Sequence, residues 1–504
     1  MAANTARAHL TGFVCLLRDR RGATAVLVAL TLAALIGFTG LGVESGVWFV
    51  IKRQNQSAAD VAALSGAFEL LGGQSAGLSA ATVYPSICAL AQRDATRNNF
   101  VFNSFSCPPT TPGCSSPSAG QMCVNNPPVL GTSAGDNNAV EVILSQQQST
   151  LLASLFLPTA TINTRGVAAI NVSSNPCILA LGTSGTDIRE QGNPSICLAP
   201  APGGVCTPPG TCSIAANSNS PSAIALGGSS NITAYTITTP GGITTGGSSK
   251  TTLASPAQVG APPVPDPYQS TLTHSALTTG MPTTTCGAPT TSIIGGVTWY
   301  TYPGNCNVNG STLTQNNIIL SAGTQISGGV SIKGQTVNLS PGTYWITDGD
   351  LTLGPGGGGS TLECTTCTSG AAGVTVILTT AQSSGGIVGT LTLNSNANLN
   401  LNAPSTGTFA GMVLIQDSNG LPSKTTIDSP GNAQANATEA LNGLVYFPES
   451  ALTFQGGPDT GAATCLVLLV NTVTLQGTPN FNDSGCANAG LTNLPAVKTV
   501  TLAE

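Results

Sequence analysis

The acidic side chains of the C-terminal half are the residues whose type and spacing could perform a reaction. Asp348 and Asp350 stand two apart in WITDGDLTLG, and Asp417, Asp428 and Glu449 follow them. Side chains two apart on an extended strand point the same way, and a pair of carboxylates is what cleavage of a glycosidic bond requires. TDGD is also an ordinary turn sequence. We therefore favour a structural or Ca²⁺-assisted turn and keep a polysaccharide site as the alternative.

Histidine and cofactor chemistry have little support in the sequence. His9 and His274 are the only histidines, which nearly excludes a Ser-His-Asp triad or a histidine-rich metal site. The chain has no P-loop and no dinucleotide fingerprint between a strand and a helix, and GPGGGGS near residue 354 is typical of a linker or corner. We expect no catalytic residue, no metal and no cofactor, and we expect that the protein is not an enzyme.

Fourteen of the fifteen cysteines follow Cys15 and fall into local groups. An even number in clusters suits disulfides formed in an oxidising compartment such as a bacterial periplasm. Free buried thiols are the alternative, and the connectivity stays open. The one C-x-x-C lies in a glycine-rich stretch that indicates a loop, so a loop disulfide or two inert thiols are favoured over a redox role. The disulfide candidates are Cys286, Cys306, Cys364, Cys367, Cys465 and Cys486.

Low charge and abundant turn residues favour β-structure. Only 7% of the residues are charged, against roughly 25% in an ordinary globular domain. Strands rich in Thr, Val and Ile with Gly and Asn turns suit this composition, whereas long helices with surface ion pairs do not. The net charge is −6, and six Lys or Arg lie beyond residue 100. No basic stripe can neutralise phosphates, which argues against nucleic-acid binding.

The elements that position these residues begin with an apolar segment. From Gly22 to Val43 the chain carries no charge, and about 22 residues make roughly 33 Å of helix, enough to cross a bilayer. A cleaved signal peptide is the alternative, but its apolar region is normally only about 7–15 residues long. Four arginines precede the segment, and Lys52 and Arg53 follow it. This bias predicts a cytoplasmic N-terminus and an exported remainder.

A small-residue pair lies at the outer end of this helix. Gly42 and Gly46 flank Glu44 in GVESG. Small residues four apart let two helix backbones approach closely, and a carboxylate near the interface can accept hydrogen bonds from a partner. The alternative is that Glu44 only ends the apolar span. These three residues are the candidates for contact with a partner helix.

The helix is predicted to continue outward. In KRQNQSAADVAALSGAFELL an apolar face and an alanine face repeat with helical spacing. We predict that the helix extends to about Leu71, with Gly72 and Gly73 stopping it.

Residues 20 to 67 read RRGATAVLVALTLAALIGFTGLGVESGVWFVIKRQNQSAADVAALSGA. This stretch resembles the N-terminal module of TadG-like and TadE-like Flp pilus assembly proteins of the tight-adherence system. The resemblance implies an inner-membrane anchor with pilin or other pilus assembly proteins as partners, and Glu44 matches the family's acidic position. Processed members usually carry Glu five residues after the cleavage Gly, where this chain has Leu27. That departure favours an uncleaved, TadG-like anchor.

The exported part is predicted to hold three regions. Residues 74–175 suggest a small α+β domain, with strands at Val140–Leu144 and Ala160–Ala169 and a short helix around Thr150–Phe156. Residues 176–311 form a Pro-, Gly- and Cys-rich β and linker region, in which APPVPDPYQS indicates an extended connector.

A repeat occupies the last region, residues 312–496. The segment from Leu320 recurs from Leu339, that from Leu452 recurs from Val473, and LTL at 351 recurs at 391, twice the period of about 20 residues. Short alternating triplets between turns are what a parallel β-helix or similar solenoid requires. A β-sandwich of hairpins is the alternative. The region also resembles, loosely, the carbohydrate-lyase-like β-helices of surface proteins.

These observations predict a mainly β protein with one N-terminal transmembrane helix. The predicted organisation is a cytoplasmic basic tail (1–21), a transmembrane helix (22–51), an outward extension (52–73), the α+β domain (74–175), the linker region (176–311) and a β-solenoid (312–496). We expect a single-pass inner-membrane protein, with its bulk periplasmic or on the cell surface, that acts in pilus assembly or adhesion by protein contacts. The alternative is a membrane-tethered polysaccharide-binding or polysaccharide-cleaving β-helix.

Overall fold

The computed structural model divides the chain into two compact units. The N-terminal unit comprises Met1–Ile170 with Val500–Glu504, and the β-rich unit comprises Asn171–Thr499. The structure describes residues 20–103, 113–150, 154, 157–192, 195–198, 211–354, 359–367, 372–383, 385–393, 397–418, 421–422, 438–456, 465–477, 481, 483, 485–492 and 494–504. The fold is mainly β with one long apolar helix near the N-terminus, which confirms the predicted class at this level.

Three α-helices occur among the described residues: α1 (Arg20–Ser75), α2 (Ala80–Arg97) and α3 (His274–Thr278).

The strands are, in chain order, β1 (Gln121–Asn125), β2 (Ala139–Ser149), β3 (Thr159–Ser174), β4 (Pro176–Ala180), β5 (Ile188–Glu190), β6 (Ser195–Cys197), β7 (Ser213–Ala216), β8 (Ile224–Leu226), β9 (Asn231–Ala234), β10 (Ile237–Thr239), β11 (Ile243–Thr245), β12 (Lys250–Leu253), β13 (Gln258–Val259), β14 (Thr290–Ile294), β15 (Val297–Tyr302), β16 (Asn307–Asn309), β17 (Asn317–Leu320), β18 (Gln325–Ser327), β19 (Val330–Ile332), β20 (Thr336–Leu339), β21 (Gly342–Thr347), β22 (Leu351–Leu353), β23 (Ser360–Glu363), β24 (Val374–Thr379), β25 (Ile387–Val388), β26 (Leu391–Leu393), β27 (Ala397–Asn402), β28 (Met412–Gln416), β29 (Leu421–Pro422), β30 (Thr438–Gly456), β31 (Leu466–Gly477) and β32 (Val497–Leu502).

The N-terminal unit packs two helices on a four-stranded sheet of order β1-β2-β3-β32. The pairs β1–β2 and β2–β3 are antiparallel. Alternate residues of β2, Val140, Val142 and Leu144, join the core that α1 and α2 form, because alternate side chains of a strand face the same side. On α1 the predicted alanine face is fully buried at Ala59, Ala63 and Ala67. Small side chains let the neighbouring elements lie close to the helix. The helix predicted around Thr150–Phe156 lies largely outside the described residues.

The outward part of the helix extends past the two glycines that were predicted to end it. Helix α1 runs through Gly72 and Gly73 and ends at Ser75, so the stop predicted near Leu71 was wrong. Gly73 serves packing rather than termination, since a Cβ there would lie 2.3 Å from Cγ2 of Val83 in α2. A Cβ on Gly72 would meet nothing within 4 Å. The close approach of two helices thus explains one glycine of this pair.

Ion pairs that start at the buried Glu141 connect β2 and β3 to the residues after β32. Glu141 is fully buried in β2, where its carboxylate pairs with Arg165 and accepts a hydrogen bond from Nδ2 of Asn125 (2.8 Å). Arg165 also pairs with Glu504. Hydrogen bonds from Thr132 and Arg165 lower the pKa of Glu504 to about 2. The Arg165 guanidinium therefore joins β2 and β3 to the residues that follow β32.

The β-rich unit is built of parallel strand ladders, with β14–β15 as the one antiparallel pair among its described strands. The sequence repeats match the registers of these ladders. Leu320 pairs with Leu339, and Leu452 pairs with Val473. Leu351 pairs directly with Leu391, so the 40 residues between them make one step of the ladder and not the two periods that the sequence predicted. The members of these pairs are buried, because in-register pairing stacks each inward apolar side chain on an equivalent one.

The order of strands in the ladders differs from their order in the chain. Pairing runs from β15 through β17, β20, β23, β27 and β30 to β31. Strand β31 then pairs with β4 and β5, with Leu468 opposite Ile178 and Val473 opposite Ile188. Strands β7, β8, β10 and β11 continue beyond them. Strands on both sides of residue 311 therefore belong to one sheet.

A strap, residues 261–281, connects the two parts of this sheet along its outer face. Tyr268, Leu272 and Leu277 of the strap are buried in a cluster with side chains of β21, β24, β28, β30 and β31. Val264 exchanges two 2.8 Å hydrogen bonds with the side chain of Asn217. The segment APPVPDPYQS, predicted to be a connector, is the first part of this strap, and its Tyr268 begins a turn that packs on the sheet.

Replacing Gly72 or Gly73 by alanine should change the free energy of unfolding in opposite directions. We expect Gly73→Ala to destabilise the N-terminal unit by ~1–3 kcal/mol through overpacking against Val83. Gly72→Ala should stabilise it by ~0.5–1 kcal/mol, since glycine is the poorer helix former and the space is open. Thermal unfolding of the full chain in detergent, followed by circular dichroism, measures both changes. Val83→Ala should restore much of the loss in the Gly73→Ala background. Equal effects of the two glycine substitutions would contradict the packing role.

Candidate functional site

Helix α1 consists of two halves with opposite surroundings. From Val26 to Val50 its large apolar side chains are exposed, including Phe38 and Phe49, except that Trp48 is half-buried. From Asn55 onward one side of the helix is buried in the N-terminal unit. Among the described residues, α1 is the helix that is long and apolar enough to cross a membrane. Its exposed half suits a lipid environment, which solvates apolar side chains and leaves the backbone to bond within the helix.

The predicted contact residues do not share one face of α1. At about 100° per residue, Gly42 and Gly46 lie about 40° apart, whereas Glu44 lies roughly 160–200° from them. A Cβ on either glycine would meet nothing within 4 Å. Glu44 is 8% exposed, although neighbouring Val43 is 65% exposed, and Glu44 is engaged in an interaction. The glycine pair therefore forms an open face, and the carboxylate points away from it.

The two aspartates proposed for chemistry bind two different turns. Asp348 has a left-handed φ of 56°, so the chain is not extended there. Its carboxylate accepts hydrogen bonds from Thr380 Oγ1 (2.7 Å) and the Ala381 amide (3.4 Å). Asp350 Oδ1 instead accepts from the Thr390 amide (2.8 Å) and hydroxyl (3.0 Å). The structure thus gives each carboxylate a separate partner in a neighbouring turn.

The Asp417 carboxylate contacts His274, which lies far from it in the sequence. The Asp417 carboxylate is buried, and its Oδ2 lies 2.6 Å from His274 Nδ1 and accepts a 2.6 Å hydrogen bond from Thr379 Oγ1. A hydrolytic triad needs a hydroxyl on the imidazole, whereas this hydroxyl bonds to the carboxylate. The pair fastens α3, within the strap, to the sheet. Sequence reasoning missed it, because 143 residues separate the two side chains.

The strap has two more polar attachments of this kind. Tyr446 Oη donates to Asp266 Oδ2 (2.7 Å), and Trp345 Nε1 donates to the carbonyl of Leu277 (2.7 Å). Of the remaining acidic candidates, Glu449 is exposed and Asp428 lies outside the described residues. In the part of the chain that the structure describes, the candidate carboxylates therefore bind different partners and do not form one site.

The described cysteines lie in pairs at disulfide distance. Cys177 and Cys212 approach the Asp483 carboxylate, but their sulfurs are bonded to each other and offer no thiolate to a metal. Cys88 and Cys197 are disulfide-bonded as well. The pairs that the structure defines, with their Cα–Cα distances, are Cys114–Cys123 (5.6 Å), Cys177–Cys212 (5.6 Å), Cys286–Cys306 (4.8 Å), Cys364–Cys367 (5.3 Å) and Cys465–Cys486 (4.7 Å).

Two carboxyl groups are buried at β5. Asp187 accepts a 2.8 Å hydrogen bond from the Ser218 amide through Oδ2, while its Oδ1 has no partner among the described atoms. The carboxyl oxygens of Glu190 are also buried, and the Ser230 hydroxyl is the neighbour whose interaction opposes the rise of its pKa. Burial raises the pKa of each group to about 7. These residues escaped sequence reasoning, because an isolated acid in a short strand gives no sign that it faces inward.

Residues 22–69, which lie within α1, match the family model of Flp pilus-assembly TadE/G-like proteins. The match confirms the predicted resemblance of the N-terminal module. It covers the exposed apolar half of the helix and the whole of the buried alanine face. Comparison with curated proteins and with solved structures found no match.

Replacing Glu190 by Gln should reduce the pH dependence of stability. Since the folded-state pKa is about 7 instead of 4.5, the folded chain keeps a proton that the unfolded chain releases between these values. The free energy of unfolding therefore falls as pH rises through this window and levels off above it. We expect Glu190→Gln to gain at most ~3 kcal/mol over the natural chain at about pH 8 and little at about pH 4.5.

Thermal unfolding at both pH values measures this difference. Glu449→Gln removes an exposed acid and serves as the matched control. If the natural chain and Glu190→Gln lose stability equally with rising pH, the buried carboxyl is not the titrating group.

Proposed function

We propose that this chain is a single-pass membrane component of Flp pilus assembly that acts through protein contacts rather than catalysis. The observation that carries the proposal is the TadE/G-like match at residues 22–69, which falls on a helix whose first half is apolar and exposed. The supporting arguments concern the anchor, the contact face and the exported unit.

The charge distribution and the cysteines support one orientation. Four arginines precede the apolar segment and two basic residues follow it, which favours a cytoplasmic N-terminus by the positive-inside rule. This orientation exports the cysteines beyond residue 87. Their pairing at disulfide distance suits an oxidising compartment outside the inner membrane.

The open glycine face supports contact with another helix in the membrane. Gly42 and Gly46 leave the backbone of α1 accessible. Small residues at this spacing let a second helix approach closely, and close packing drives helix association in lipid. We propose that the occupant is the membrane helix of a pilin or of another pilus assembly protein.

The exported β-rich unit is proposed to be a parallel β-helix that displays a surface for contact or adhesion. The support is its parallel, in-register ladders, which join strands 19, 40 and 21 residues apart at Leu320, Leu351 and Leu452. Short strands that stack at such spacings bury continuous columns of apolar side chains, as solenoid coils do.

The function in assembly can be tested in a strain that lacks the gene for this chain. We expect that Flp pili, counted by electron microscopy, disappear and return when the natural chain is supplied. Gly42→Leu with Gly46→Leu should reduce pili roughly tenfold, the equivalent of ~1.4 kcal/mol of association, because leucines close the open face. Val43→Leu with Val47→Leu places the same two leucines at other exposed positions of the helix and should leave the count near its natural level.

The topology of every variant must be checked in the same strain. Protease treatment of intact spheroplasts should digest the exported units and protect the N-terminal tail. A soluble product that begins after residue 22 would contradict the anchor. Normal pilus numbers in the strain without the gene would contradict the role in assembly.

A second candidate function is polysaccharide binding or cleavage by the β-rich unit. A groove of about 560 Å³ favours binding, since Ser331, Lys333, Asp350 and Thr352 give it a polar lining. The separate partners of Asp348 and Asp350 count against cleavage.

Alanine variants of the two aspartates separate these functions. We expect no release of reducing ends from bacterial polysaccharides by the natural chain, by Asp348→Ala or by Asp350→Ala, because the two carboxylates do not converge. Polysaccharide binding that Asp350→Ala abolishes and Asp348→Ala spares would establish the groove as a glycan site. Cleavage by the natural chain that both substitutions abolish would establish the enzyme and contradict the leading proposal.

A further inference from the structure

The hairpin β14–β15 ends one side of the ladder, and in the described part of the chain the outer edge of β14 has no partner strand. Every residue of β14 is exposed, and in the described part of the chain β15 is the strand that pairs with it. Ile293 is 76% exposed, Ile294 55% and Val297 43%. Strand edges of this kind pair readily with another chain unless charge, proline or a covering element blocks them.

The hairpin register determines which backbone groups are free. Gly295 and Gly296 form the two-residue turn, with φ of 58° and 81°, and Ile294 lies opposite Val297. In such a hairpin the closing pair is hydrogen-bonded, and bonded and non-bonded pairs then alternate along the strand. The Ser292–Trp299 pair is therefore bonded internally, whereas the N–H and C=O groups of Thr291 and Ile293 point outward.

We propose that β14 pairs with β14 of a second copy of this chain, antiparallel about Ser292. The outward N–H and C=O groups of Thr291 then bond to those of Ile293 in the other copy. The Ile293 groups bond to Thr291 of the other copy in the same way, which gives four backbone hydrogen bonds in total. Ser292 of one copy lies opposite Ser292 of the other copy, and this central pair is not hydrogen-bonded. The free backbone groups are symmetric about this residue, so the two-fold register satisfies all of them.

The side chains suit the same arrangement. Thr290 lies opposite Ile294 and Thr291 opposite Ile293 across the junction, which places β-branched residues at every pair except the centre. On one face, Ile294, Val297 and Trp299 of both copies then lie on a continuous four-stranded surface. The exposed apolar tip of each hairpin is partly covered by the other copy.

The neutral edge of β14 permits a second copy as the occupant. No Asp, Glu, Lys or Arg occurs between Asp266 and Lys333, so the edge brings no like charges together. Elsewhere two copies with a net charge of −6 each repel one another. A five-residue strand pair is smaller than a stable interface of roughly 1,200–2,000 Å². We therefore expect weak association, which a covalent trap can report.

A disulfide at the symmetry centre provides that trap. In the Cys15→Ser background, Ser292→Cys places two thiols opposite each other at a Cα–Cα distance of about 4.5 Å, within the range for a disulfide. We expect mild oxidation of the full-length protein in native membranes to give a covalent homodimer. Ser331→Cys, an exposed serine in β19, is the matched control and should give at least roughly fivefold less dimer.

A lysine on the edge tests the pairing itself. Ile293→Lys in the Ser292→Cys background should lower the trapped dimer at least roughly fivefold, because charged edge residues block strand pairing. Ile293 is exposed, so the thermal unfolding midpoint should stay unchanged. Equal cross-linking at Ser292 and Ser331, no cross-link at Ser292, or a cross-link from Ser292 to a different protein would each overturn the proposal.

Discussion

Parallel backbone pairing between distant segments is the constraint on which the β-rich unit depends. A strand of three to six residues buries little by itself and keeps unpaired N–H and C=O groups until neighbours cover both edges. The decisive pairing is that of β31 with β4 and β5, which joins residues near 470 to residues near 180. It makes one continuous ladder from two stretches of chain. The strap follows from it, because the chain must return along the sheet from β13 to β14.

Polar side chains hold the strap where it crosses an apolar surface. Asn217, Tyr446 and Trp345 each bond to the strap, and Asp417 binds His274. Buried polar groups are costly unless they are paired, so these contacts select one position for the strap. Glu190 shows the opposite situation. Burial outweighs the effect of the neighbouring Ser230 hydroxyl, so Glu190 reduces the penalty of burial by retaining a proton up to about pH 7.

Helix α1 satisfies two environments with one backbone conformation. Its hydrogen bonds lie within the helix, so the backbone needs no partner in lipid or in the packed unit. The side chains then distinguish the halves: large exposed apolar residues before Val50 and fully buried alanines from Ala58 onward. The match to TadE/G-like proteins extends across this change. The shared module is therefore the apolar segment together with the start of its packed extension.

Features that depend on local spacing can be predicted from the amino-acid sequence. These include the apolar helix, the mainly β composition, and the repeats whose pairs at Leu320 and Leu452 match the ladders. Their signals lie within one helix or recur at a fixed period, so neighbouring residues suffice to reveal them.

Contacts between distant groups depend on the tertiary structure. It places Gly73 against Val83 and so continues a helix that its glycines were predicted to end. It turns Asp348 and Asp350 toward different turns, brings His274 to Asp417, and buries Glu190. Each outcome depends on side chains contributed by another element. No local pattern encodes that element, because the chain order of the strands differs from their order in the sheet.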